Sequence, residues 1–582
     1  MTYRWTLRPV ERPEAVDQLR HALNDLPAAL ARALVLRGIH TLDEARLFFR
    51  GTRADLHDPF LMQDMDVAAK RVAHAVTQGQ RVFVYGDYDT DGTTSTALMT
   101  SFLERLGAEV TYYIPDRIEE GYGLGRPGLD AAHAWGADLV IALDCGITAH
   151  DEATYARSLG LDLIICDHHT ALETVPDALA VLDPKRPDCP YPFDELCGCG
   201  VGYKLACATL QALGRDLAEA DPLLDLVAMA TAGDIVPLRG ENRILLRAGL
   251  DRIRTAPRMG LRRLAEQARV DLGRLTTSRI VFGLSPRINA AGRMGDAKRA
   301  VALLLADDPT QAQHLATTLE TANQERRSVN TQIRREALRE AERYLSTGRL
   351  SVVLHNPAWH PGIVGIVASR VVETFYRPTI LLCTVNGVVK GSARSVHGLN
   401  VYDALTDCAD LIDEFGGHDY AAGLSLQEDR LPEFKRQFDE AVRRRFTADL
   451  FHPTLDIDAE LDLREVDGPR GRFWAILRQF EPTGPENPAP LFQASDLMVM
   501  APPRLLKDEH LKFSVRPRLG DTPFDVIAFG LGDKLPIVQQ SHRTGLPLEL
   551  AFHVDENTYR GVTSLQLQAK DIRLQPTGDG AA

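Results

Sequence analysis

The sequence has no run of about eighteen apolar residues and no apolar segment near its N-terminus. The first absence excludes a membrane-spanning helix, and the second argues against a secretory signal. Its eight cysteines are sparse and irregularly spaced, which is typical of reduced thiols in a cytoplasmic protein. Basic residues are outnumbered, 66 against 80 acidic ones, and the formal charge of −14 argues against a protein that coats duplex DNA.

The composition sets the scale of the molecule. With 582 residues, 45% of them apolar and 25% charged, this is an ordinary globular protein that needs roughly two to four domains. One group of cysteines could be considered a zinc site: Cys189, Cys197, Cys199 and Cys207. Their spacing matches no ordinary zinc motif, so we favour buried thiols.

The most informative stretch is VFVYGDYDTDGTT at 82–94. Its apolar first half predicts a buried strand, which is followed by Asp87, Asp89 and Asp91 before a helix that begins at Thr93. Carboxylates two residues apart repel one another, so they favour a bound cation. The alternative is an aspartate-rich turn that only caps the next helix.

Strands and helices then alternate, which predicts a parallel sheet with right-handed crossovers. The predicted strands are 82–85, 110–114, 139–143, 163–166 and 180–182, with helices such as 93–106 and 148–158 between them. Two more strands end in possible ligands, Asp144 in ALDCGIT and Asp167, His168 and His169 in IICDHHT, and an apolar helix ends at Asp234. Each residue alone could be a cap or a solvated side chain. In a parallel sheet, however, the strand ends share one edge.

These candidate ligands share a chemistry. Oxygen donors with one or two imidazoles and no thiolate suit Mn²⁺ or Mg²⁺ better than structural zinc. A shared carboxylate would let two ions lie about 4 Å apart, where they activate a water and hold a phosphoryl oxygen. The residues therefore predict metal-assisted hydrolysis of a phosphoester.

Residues 310–345 form one periodic pattern without proline or glycine, which predicts a helix of about 50 Å that joins two lobes. The second face of this helix carries arginines, which could bind a ligand or could be solvated and paired with glutamates. They are Arg326, Arg327, Arg334, Arg335 and Arg339. In the next lobe, KGSARS at 390–395 offers backbone N–H groups, Ser392 and Arg394 to a phosphate. GGH at 416–418 offers Gly417 and His418, although ordinary glycine turns would look the same.

From about residue 452 the hydrophobic period falls to two in short strands separated by turns, which predicts a small closed or half-closed antiparallel barrel. Four basic side chains and one aromatic ring in this region favour binding of single-stranded DNA, by charge and by stacking respectively. They are Lys507, Lys512, Phe513, Arg516 and Arg518. Alternating charges on an exposed sheet face are the alternative. The composition predicts a disordered tail at 576–582.

The motifs GDYDTDG, DCGIT, DHH and AGDIVPL, in this order and spacing, resemble the four motifs of the DHH phosphoesterase superfamily. Four further stretches are similar to the RecJ family of bacterial single-strand-specific exonucleases: PRINAAGRMGDA at 286–297, HPGIVGIVASRVVETFYRPTILL at 360–382, KGSARSVHGLNVYDAL at 390–405 and GGHDYAAGLSL at 416–426. The resemblance extends from about residue 35 to the end of the chain.

The resemblance implies a modular α/β fold. A parallel-sheet DHH catalytic domain would be joined by a long helix to a second α/β domain, the DHH-associated domain, and followed by an antiparallel β-barrel of the oligonucleotide-binding (OB-like) type. The implied divisions are a helical lead-in at 1–50, the DHH domain at 51–250, a helical linker at 251–345, the DHH-associated domain at 346–450 and the barrel at 451–575.

The resemblance also assigns roles to individual residues. It implies that the metal ligands are Asp89, Asp91, Asp144, His168 and Asp234, with Asp144 shared, and that Asp87 is either a close support or an additional ligand. The implied catalytic residues are His169, which would face the scissile phosphate, Asp144 and Asp89. A pocket for the 5′-terminal phosphate would contain Arg117, Arg293, Ser392 and Arg394, and Gly417 and His418 remain the second phosphate-binding candidate of this lobe. Tyr85 stands where some superfamily members have a histidine ligand, which implies a looser first metal shell or one completed by Asp87.

The expected function is hydrolysis of single-stranded DNA from its 5′ end to 5′-mononucleotides, in DNA repair and recombination. Two divalent ions are expected as cofactors, Mn²⁺ preferred or Mg²⁺. Expected partners of this monomeric, cytoplasmic protein are single-stranded DNA, a RecQ-like helicase and a single-strand-binding protein. Two alternatives remain: a DHH phosphodiesterase of short oligonucleotides or cyclic dinucleotides, and a non-catalytic replication scaffold. The terminal barrel disfavours the first, and the complete set of acids disfavours the second.

Overall fold

The computed structural model describes residues 3–117, 120–447, 452–559 and 561–575, so the tail predicted at 576–582 lies outside the described residues. Within these ranges no helix is both long and apolar enough to cross a membrane. The N-terminal part contains one strand and four helices: β1 (Arg4–Leu7), α1 (Pro13–Ala22), α2 (Ala28–Val35), α3 (Leu42–Arg50) and α4 (Met65–Gln78).

The first sheet confirms the predicted parallel architecture. Its strands are β2 (Arg81–Gly86), β3 (Glu109–Tyr113), β4 (Leu139–Leu143), β5 (Asp162–Cys166) and β6 (Ala180–Leu182), in the spatial order β3-β2-β4-β5-β6. The helices of this region are α5 (Thr90–Arg105), α6 (Arg126–Trp135), α7 (His150–Ser158), α8 (Gly198–Ala212), α9 (Leu224–Gly233) and α10 (Gly240–Thr255). The central strand β4 is buried throughout, as expected for a parallel sheet covered on both faces. Because α10 runs through residue 250, a domain boundary drawn there cuts a helix.

A helical region follows the first sheet. It consists of α11 (Met259–Ala268), α12 (Thr277–Arg279), a π-helical turn (Ile280–Leu284), α13 (Ser285–Met294), α14 (Lys298–Leu305) and α15 (Pro309–Leu345). The long helix predicted at 310–345 is thus confirmed: α15 has 37 residues and is about 55 Å long. Its first half packs in the core around the first sheet, and its second half packs against the next lobe.

The second lobe is another α/β unit. Its elements are β7 (Val352–His355), α16 (Pro361–Phe375), β8 (Thr379–Val385), β9 (Val388–Arg394), α17 (Val401–Thr406), β10 (Glu414–His418), β11 (Ala421–Leu426) and α18 (Leu431–Arg445). The sheet order is β10-β11-β9-β8-β7, and only the β7–β8 pair among these is parallel. β9 is therefore a central strand, with α16 packed against it.

The C-terminal region forms a mostly antiparallel sheet. Its elements are β12 (Thr454–Ile457), β13 (Ala459–Glu460), α19 (Arg472–Leu477), β14 (Phe492–Val499), β15 (Arg504–Leu506), β16 (His510–Pro517), β17 (Phe524–Ala528), α20 (Leu535–Thr544), β18 (Leu548–Tyr559) and β19 (Val562–Leu574). The strand pairs run from β14 through β18, β19, β17 and β16 and back to β14. Two pairs, β13–β14 and β17–β19, are parallel and were not predicted.

The N-terminal region is more than the helical lead-in predicted for residues 1–50. β1 pairs in parallel with β12, and apolar residues of α1 and α2 belong to the same core as the C-terminal sheet. Buried Asp458 ties the two ends together, since it accepts hydrogen bonds from Arg8 at 3.1 Å and from Arg37 at 3.5 Å. The two ends of the chain therefore form one folded body.

Candidate metal centre and phosphate pocket

The turn after β2 carries the first three acids. Asp89 caps α5, because its Oδ1 accepts the backbone N–H groups of Asp91 at 2.8 Å and of Gly92 at 3.1 Å. The helix thus begins three residues earlier than predicted, and Asp91 lies in its first turn. The local sequence therefore both caps the helix and presents carboxylates at the sheet edge.

Asp91 is held by a second helix. The backbone N–H groups of Gly198 and Cys199, at the start of α8, donate to its two carboxylate oxygens at 2.7 and 2.8 Å. Burial and the charge of Asp89 nevertheless raise the pKa of Asp91 to about 7. Such a buried, repelled carboxylate gains stability from a cation.

Asp144 follows β4 in a strained conformation. Its φ angle is +62°, in the left-handed region that non-glycine residues seldom adopt. A Cβ atom at Gly198 would lie 2.8 Å from the Cβ of Asp144, so only glycine allows α8 to approach this closely. The structure thus fixes Asp144 against the start of α8, beside Asp91.

His168 joins the acids into one cluster. Its Nε2 lies 3.1 Å from Asp144 Oδ1, 3.5 Å from Asp234 Oδ2 and 3.8 Å from Asp91 Oδ2. Burial above all, followed by the charge of His169, lowers the pKa of His168 to about 3. The imidazole is therefore neutral at physiological pH and keeps a lone pair for a metal ion.

Ligand atoms within 4.8 Å of one another form three sets, which share members: Asp87, Asp89 and Asp144; Asp91, His168 and Asp234; Asp144, His168 and His169. The structure thus brings all six predicted ligands to one edge of the sheet, with Asp144 in two of the sets. Buried Asp87 Oδ1, Asp144 Oδ1 and both nitrogens of His168 have no hydrogen-bond partner among the described residues. Burial and neighbouring carboxylates raise the pKa values of Asp87, Asp144 and Asp234. These orphaned oxygen and imidazole atoms fit divalent cations such as Mn²⁺ or Mg²⁺.

His169 has a different environment. Its side chain is 42% exposed, against 8% for His168, and its Nδ1 donates to Asp167 Oδ1 at 2.7 Å. Burial would lower the pKa of His169, but the hydrogen bond and charge of Asp167 outweigh it and raise that pKa to about 9. His169 is therefore a cation at the open side of the cluster.

Two residues near the cluster were missed by sequence reasoning, Tyr122 and Lys185, while Asp167 was named as a possible ligand but not as the partner of His169. Tyr122 donates its hydroxyl proton to Asp144 O at 3.2 Å and lies 3.2 Å from His169 Nε2. Lys185 lies three residues after the end of β6, the strand that pairs with β5. A position just after a strand of the same sheet was the available signal for Lys185, whereas nothing local marks Tyr122.

Tyr85 does not take part in the cluster. Its hydroxyl donates to Gly123 O at 2.9 Å and accepts the N–H of Gly125 at 3.2 Å. The Tyr85 hydroxyl is therefore hydrogen-bonded to the backbone of the loop at 123–125, and none of the three ligand sets contains Tyr85. Asp87 is the residue that completes the set with Asp89 and Asp144.

The predicted phosphate ligands divide into two groups. Arg117, Arg293, Ser392 and Arg394 line one cavity of about 490 Å³. Gly417 and His418 do not line it; they lie on the edge strand β10, which β11 separates from β9, and both are exposed. The sequence indicated a glycine-rich turn at 416–418. It did not indicate that β11 would lie between this segment and Ser392.

The arginines of the cavity are held by short polar contacts. Arg394 donates to Ser392 Oγ and to Ala393 O, both at 2.7 Å, and Arg293 donates to Gly362 O at 2.8 Å. Burial, followed by the charge of Arg117, lowers the pKa of Arg293 to about 10. Its guanidinium remains charged at physiological pH, and so does that of Arg394. Crowded cations of this kind favour an anion such as phosphate.

The predicted DNA-binding residues of the C-terminal sheet need one correction. Phe513 is 4% exposed and packs in the core, because alternation along β16 places it on the face opposite Lys512 and Arg516. A buried ring cannot stack on a base, so that part of the prediction is wrong. Lys512 lies 3.8 Å from Asp525, Arg518 lies 3.2 Å from Asp496, and Lys507 is exposed in the turn before β16.

Comparison with family models gives three matches along the chain. The DHH family, N-terminal domain, matches residues 81–231, the DHHA1 domain matches 349–444 and the RecJ OB domain matches 457–571. The first match covers the acidic cluster except Asp234, and the second covers Ser392 and Arg394. The third covers the mostly antiparallel sheet.

Individual proteins match over nearly the whole chain. The sequence is 38% identical over 575 residues to the single-stranded-DNA-specific exonuclease RecJ of Dickeya dadantii, covering 96% of this chain and 97% of that one. The crystal structure of RecJ from Thermus thermophilus in complex with Mn²⁺ superposes with a TM-score of 0.80 at 30% identity, covering 99% of this chain and 80% of that one. The complex of the same protein with Mg²⁺ gives 0.75 at 29% identity, covering 99% and 79%.

Proposed function

This chain belongs to the RecJ family of single-stranded-DNA-specific exonucleases, and we propose that it removes 5′-mononucleotides stepwise from the 5′ end of the strand. It is a metal-dependent exonuclease of single-stranded DNA. The observation that supports the proposal most directly is the cluster of six candidate ligand side chains at one edge of the sheet. Asp144 belongs to two of the ligand sets in this cluster. A second support is the separate arginine cavity, because a terminal phosphate bound there defines one end of the strand.

The proposed sites for two divalent ions follow the ligand sets. Asp87, Asp89 and Asp144 would hold one ion, and Asp91, His168 and Asp234 would hold the other together with the shared Asp144. When bound, such ions lower the pKa of water and neutralise charge on phosphoryl oxygens. Mn²⁺ and Mg²⁺ both suit these donors, and we propose that Mn²⁺ is preferred because His168 contributes a nitrogen.

His169 would act on the scissile phosphate directly. Asp167 fixes Nδ1, which leaves Nε2 to face Tyr122 and the open side of the cluster. An imidazolium there stabilises negative charge on the phosphate in the transition state and holds a proton for the leaving 3′ oxygen. Tyr122 would orient this ring.

The arginine cavity would determine polarity. Arg394 and Ser392 on β9, with Arg117 and Arg293 from the catalytic side, would bind the 5′-terminal phosphate by charge-assisted hydrogen bonds. The strand then lies with its first internucleotide phosphate toward the metal ligands. Gly417 and His418 would contribute only to binding of more distant parts of the substrate, given their place on β10.

The finer assignments are also part of the proposal. We propose that Lys507, Lys512, Arg516 and Arg518 guide single-stranded DNA, that the protein is a cytoplasmic monomer, and that it acts in DNA repair and recombination. A RecQ-like helicase that opens duplexes and a single-strand-binding protein would supply its substrate. The proposed domains remain those given above with two changes: the boundary drawn at residue 250 moves past the end of α10, and the N-terminal 50 residues are assigned to the same body as the C-terminal sheet.

The test uses one single-stranded oligonucleotide labelled at either end and the matching duplex, with Mn²⁺, Mg²⁺ or EDTA. The expected first product from the 5′-labelled strand is the labelled mononucleotide, while the 3′-labelled strand shortens one residue at a time. The duplex and the EDTA samples should remain intact. Early release of a 3′-terminal nucleotide, or cleavage in EDTA, would contradict the proposal.

A further inference from the structure

Tyr88 lies in the turn after β2, between the candidate ligands Asp87 and Asp89. Its backbone packs directly against α13. A Cβ atom at Gly292 would lie 2.7 Å from Tyr88 O and 3.1 Å from Tyr88 Cβ, so only glycine allows this approach. The next residue of the same helix, Arg293, lines the phosphate cavity. The backbone of Tyr88 is therefore fixed beside both functional sites.

One neighbour of the Tyr88 ring is Arg117. Its guanidinium carbon lies 4.8 Å from the centroid of the ring, a distance typical of a cation–π contact. Burial, followed by the charge of Asp87, raises the pKa of the Tyr88 hydroxyl to about 12, so the ring is neutral at physiological pH. Arg117 also lines the phosphate cavity. The Tyr88 ring thus supports one of the cations proposed to bind the terminal phosphate.

A second neighbour is Tyr122, whose ring packs edge to face on Tyr88 with the centroids 6.3 Å apart. The Tyr122 ring makes another edge-to-face contact with His169 at 5.7 Å. Tyr122 is 56% exposed, and the residues on either side of it, Gly121 and Gly123, have φ angles of +87° and +97°. Because glycine leaves the backbone free here, the place of the Tyr122 ring depends on the side chains that it contacts.

Arg117 and Tyr122 belong to the same loop, which connects β3 to α6. Within this loop, Glu120 accepts the hydroxyl proton of Tyr113 at 2.8 Å, which ties the loop to the end of β3. The contacts of Tyr88 tie it instead to the turn after β2. Tyr88 therefore contacts both of the loop's functional side chains, one at the phosphate cavity and one at the ligand cluster.

We propose that Tyr88 is a positioning residue, whose ring holds Arg117 at the terminal phosphate and Tyr122 at His169 at the same time. The inference rests on the proposed 5′-phosphate pocket and on the proposed role of His169. A loop held at both points keeps the strand end in register with the first internucleotide phosphate, and a misplacement of about 1 Å can lower a rate about 100-fold. The ring has this role and the hydroxyl does not, because the ring makes both contacts.

The experiment measures kcat and KM in Mn²⁺ for one single-stranded oligonucleotide with a 5′-phosphate or a 5′-hydroxyl end. Tyr88→Leu should lower kcat at least tenfold, and it should lower the ratio of kcat/KM for the phosphate end to that for the hydroxyl end at least fivefold. Tyr88→Phe keeps the ring and should stay within twofold of the unaltered protein in both quantities. Tyr155→Leu is the matched control, because Arg126 stacks on Tyr155 at 5.0 Å and neither residue lines the cavity; it should change neither quantity.

A double-mutant cycle tests the link between Tyr88 and Arg117. In Arg117→Ala the ratio of kcat/KM for the two ends should already be low. Adding Tyr88→Leu to this variant should leave the ratio within twofold and still lower kcat. The Mn²⁺ affinity of Tyr88→Leu, measured by calorimetry, should equal that of the unaltered protein, because the neighbouring acids keep their places.

The outcomes separate this inference from the proposed function. It would be overturned by an unchanged ratio in Tyr88→Leu, by an equal fall of the ratio with and without Arg117, or by a loss in Tyr88→Phe as large as that in Tyr88→Leu. A loss of Mn²⁺ affinity that parallels the loss of kcat would also overturn it, since Tyr88 would then act through the metal ligands. Equal kcat/KM of the unaltered protein for the two ends would instead contradict the phosphate pocket itself.

Discussion

Replacing Asp144 by asparagine should stabilise the metal-free protein while removing its response to metal. The substitution keeps the size of the side chain but deletes one charge from a buried cluster. Asp144 shares ligand sets with Asp87 and Asp89, whose oxygens lie within 4.8 Å of its own. These carboxylates repel one another, and the mutual repulsion contributes to the raised pKa of Asp144.

The size of the effect follows from these distances. Two unit charges 4.8 Å apart interact by about 3.5 kcal/mol at an effective dielectric constant of about 20. Protons bound by the cluster reduce this repulsion, so Asp144→Asn should raise the free energy of unfolding by about 1–3 kcal/mol in EDTA. For a domain of roughly 150–250 residues, this corresponds to about 2–4 °C in Tm per kcal/mol.

Thermal unfolding in EDTA and in Mn²⁺ measures both effects. The unaltered protein should gain stability on addition of Mn²⁺, whereas Asp144→Asn should start from a higher Tm and gain much less. Asp194→Asn removes an exposed acid from the same region and should behave like the unaltered protein. If Asp144→Asn has an unchanged Tm in EDTA and a full response to Mn²⁺, the acids do not act as one cation site.

Three further changes test other parts of the structure. Asp458→Ala should lower the free energy of unfolding by about 3–5 kcal/mol in urea denaturation, because it leaves the buried Arg37 unpaired; a loss below about 1 kcal/mol would contradict the joined termini. Phe513→Ala should cost about 3–5 kcal/mol of stability and leave the DNA affinity of the folded protein unchanged in anisotropy measurements, whereas a selective loss of affinity would restore its stacking role. Lys185→Ala should lower kcat/KM about 10- to 100-fold if the lysine contacts the scissile phosphate, with Mn²⁺ affinity by calorimetry unchanged; an unaltered kcat/KM would exclude that contact.

The meeting of the candidate metal ligands at one edge of the first sheet was predictable, because a parallel sheet brings the ends of its strands to the same side. In a parallel sheet all strands end on one side, so Asp87, Asp144 and His168 had to meet once their strands were recognised. Asp234 was a candidate from the sequence, but it ends a helix instead of a strand, so only the resemblance assigned it to the same site. The ends of individual elements were harder to place, and α5 begins at Thr90 because Asp89 caps it.

Contacts between distant parts of the chain left no local signal. The pairing of β1 with β12 joins residues about 450 positions apart. Each of these strands has only four residues, which is too short for a hydrophobic pattern that would identify its partner. The error at Phe513 had a different cause, since the period of two was visible but the face was assigned from neighbouring charges. Counting alternation from Leu511 would have placed the ring inside.

Helix α13 connects the two functional parts of the molecule. On one side, Asn289 accepts a hydrogen bond from Thr90 at 2.8 Å. Gly292 lies against the turn that follows β2, where a Cβ atom at this glycine would be 2.7 Å from Tyr88 O. On the other side, the next residue, Arg293, donates to Gly362 at the start of α16. One helix therefore contacts both the turn that carries Asp87 and Asp89 and the wall of the cavity lined by Arg394. On the proposed assignment of these two sites, the backbone of α13 would set the distance between them, and the strand would be cut at a constant distance from its end without any base being read.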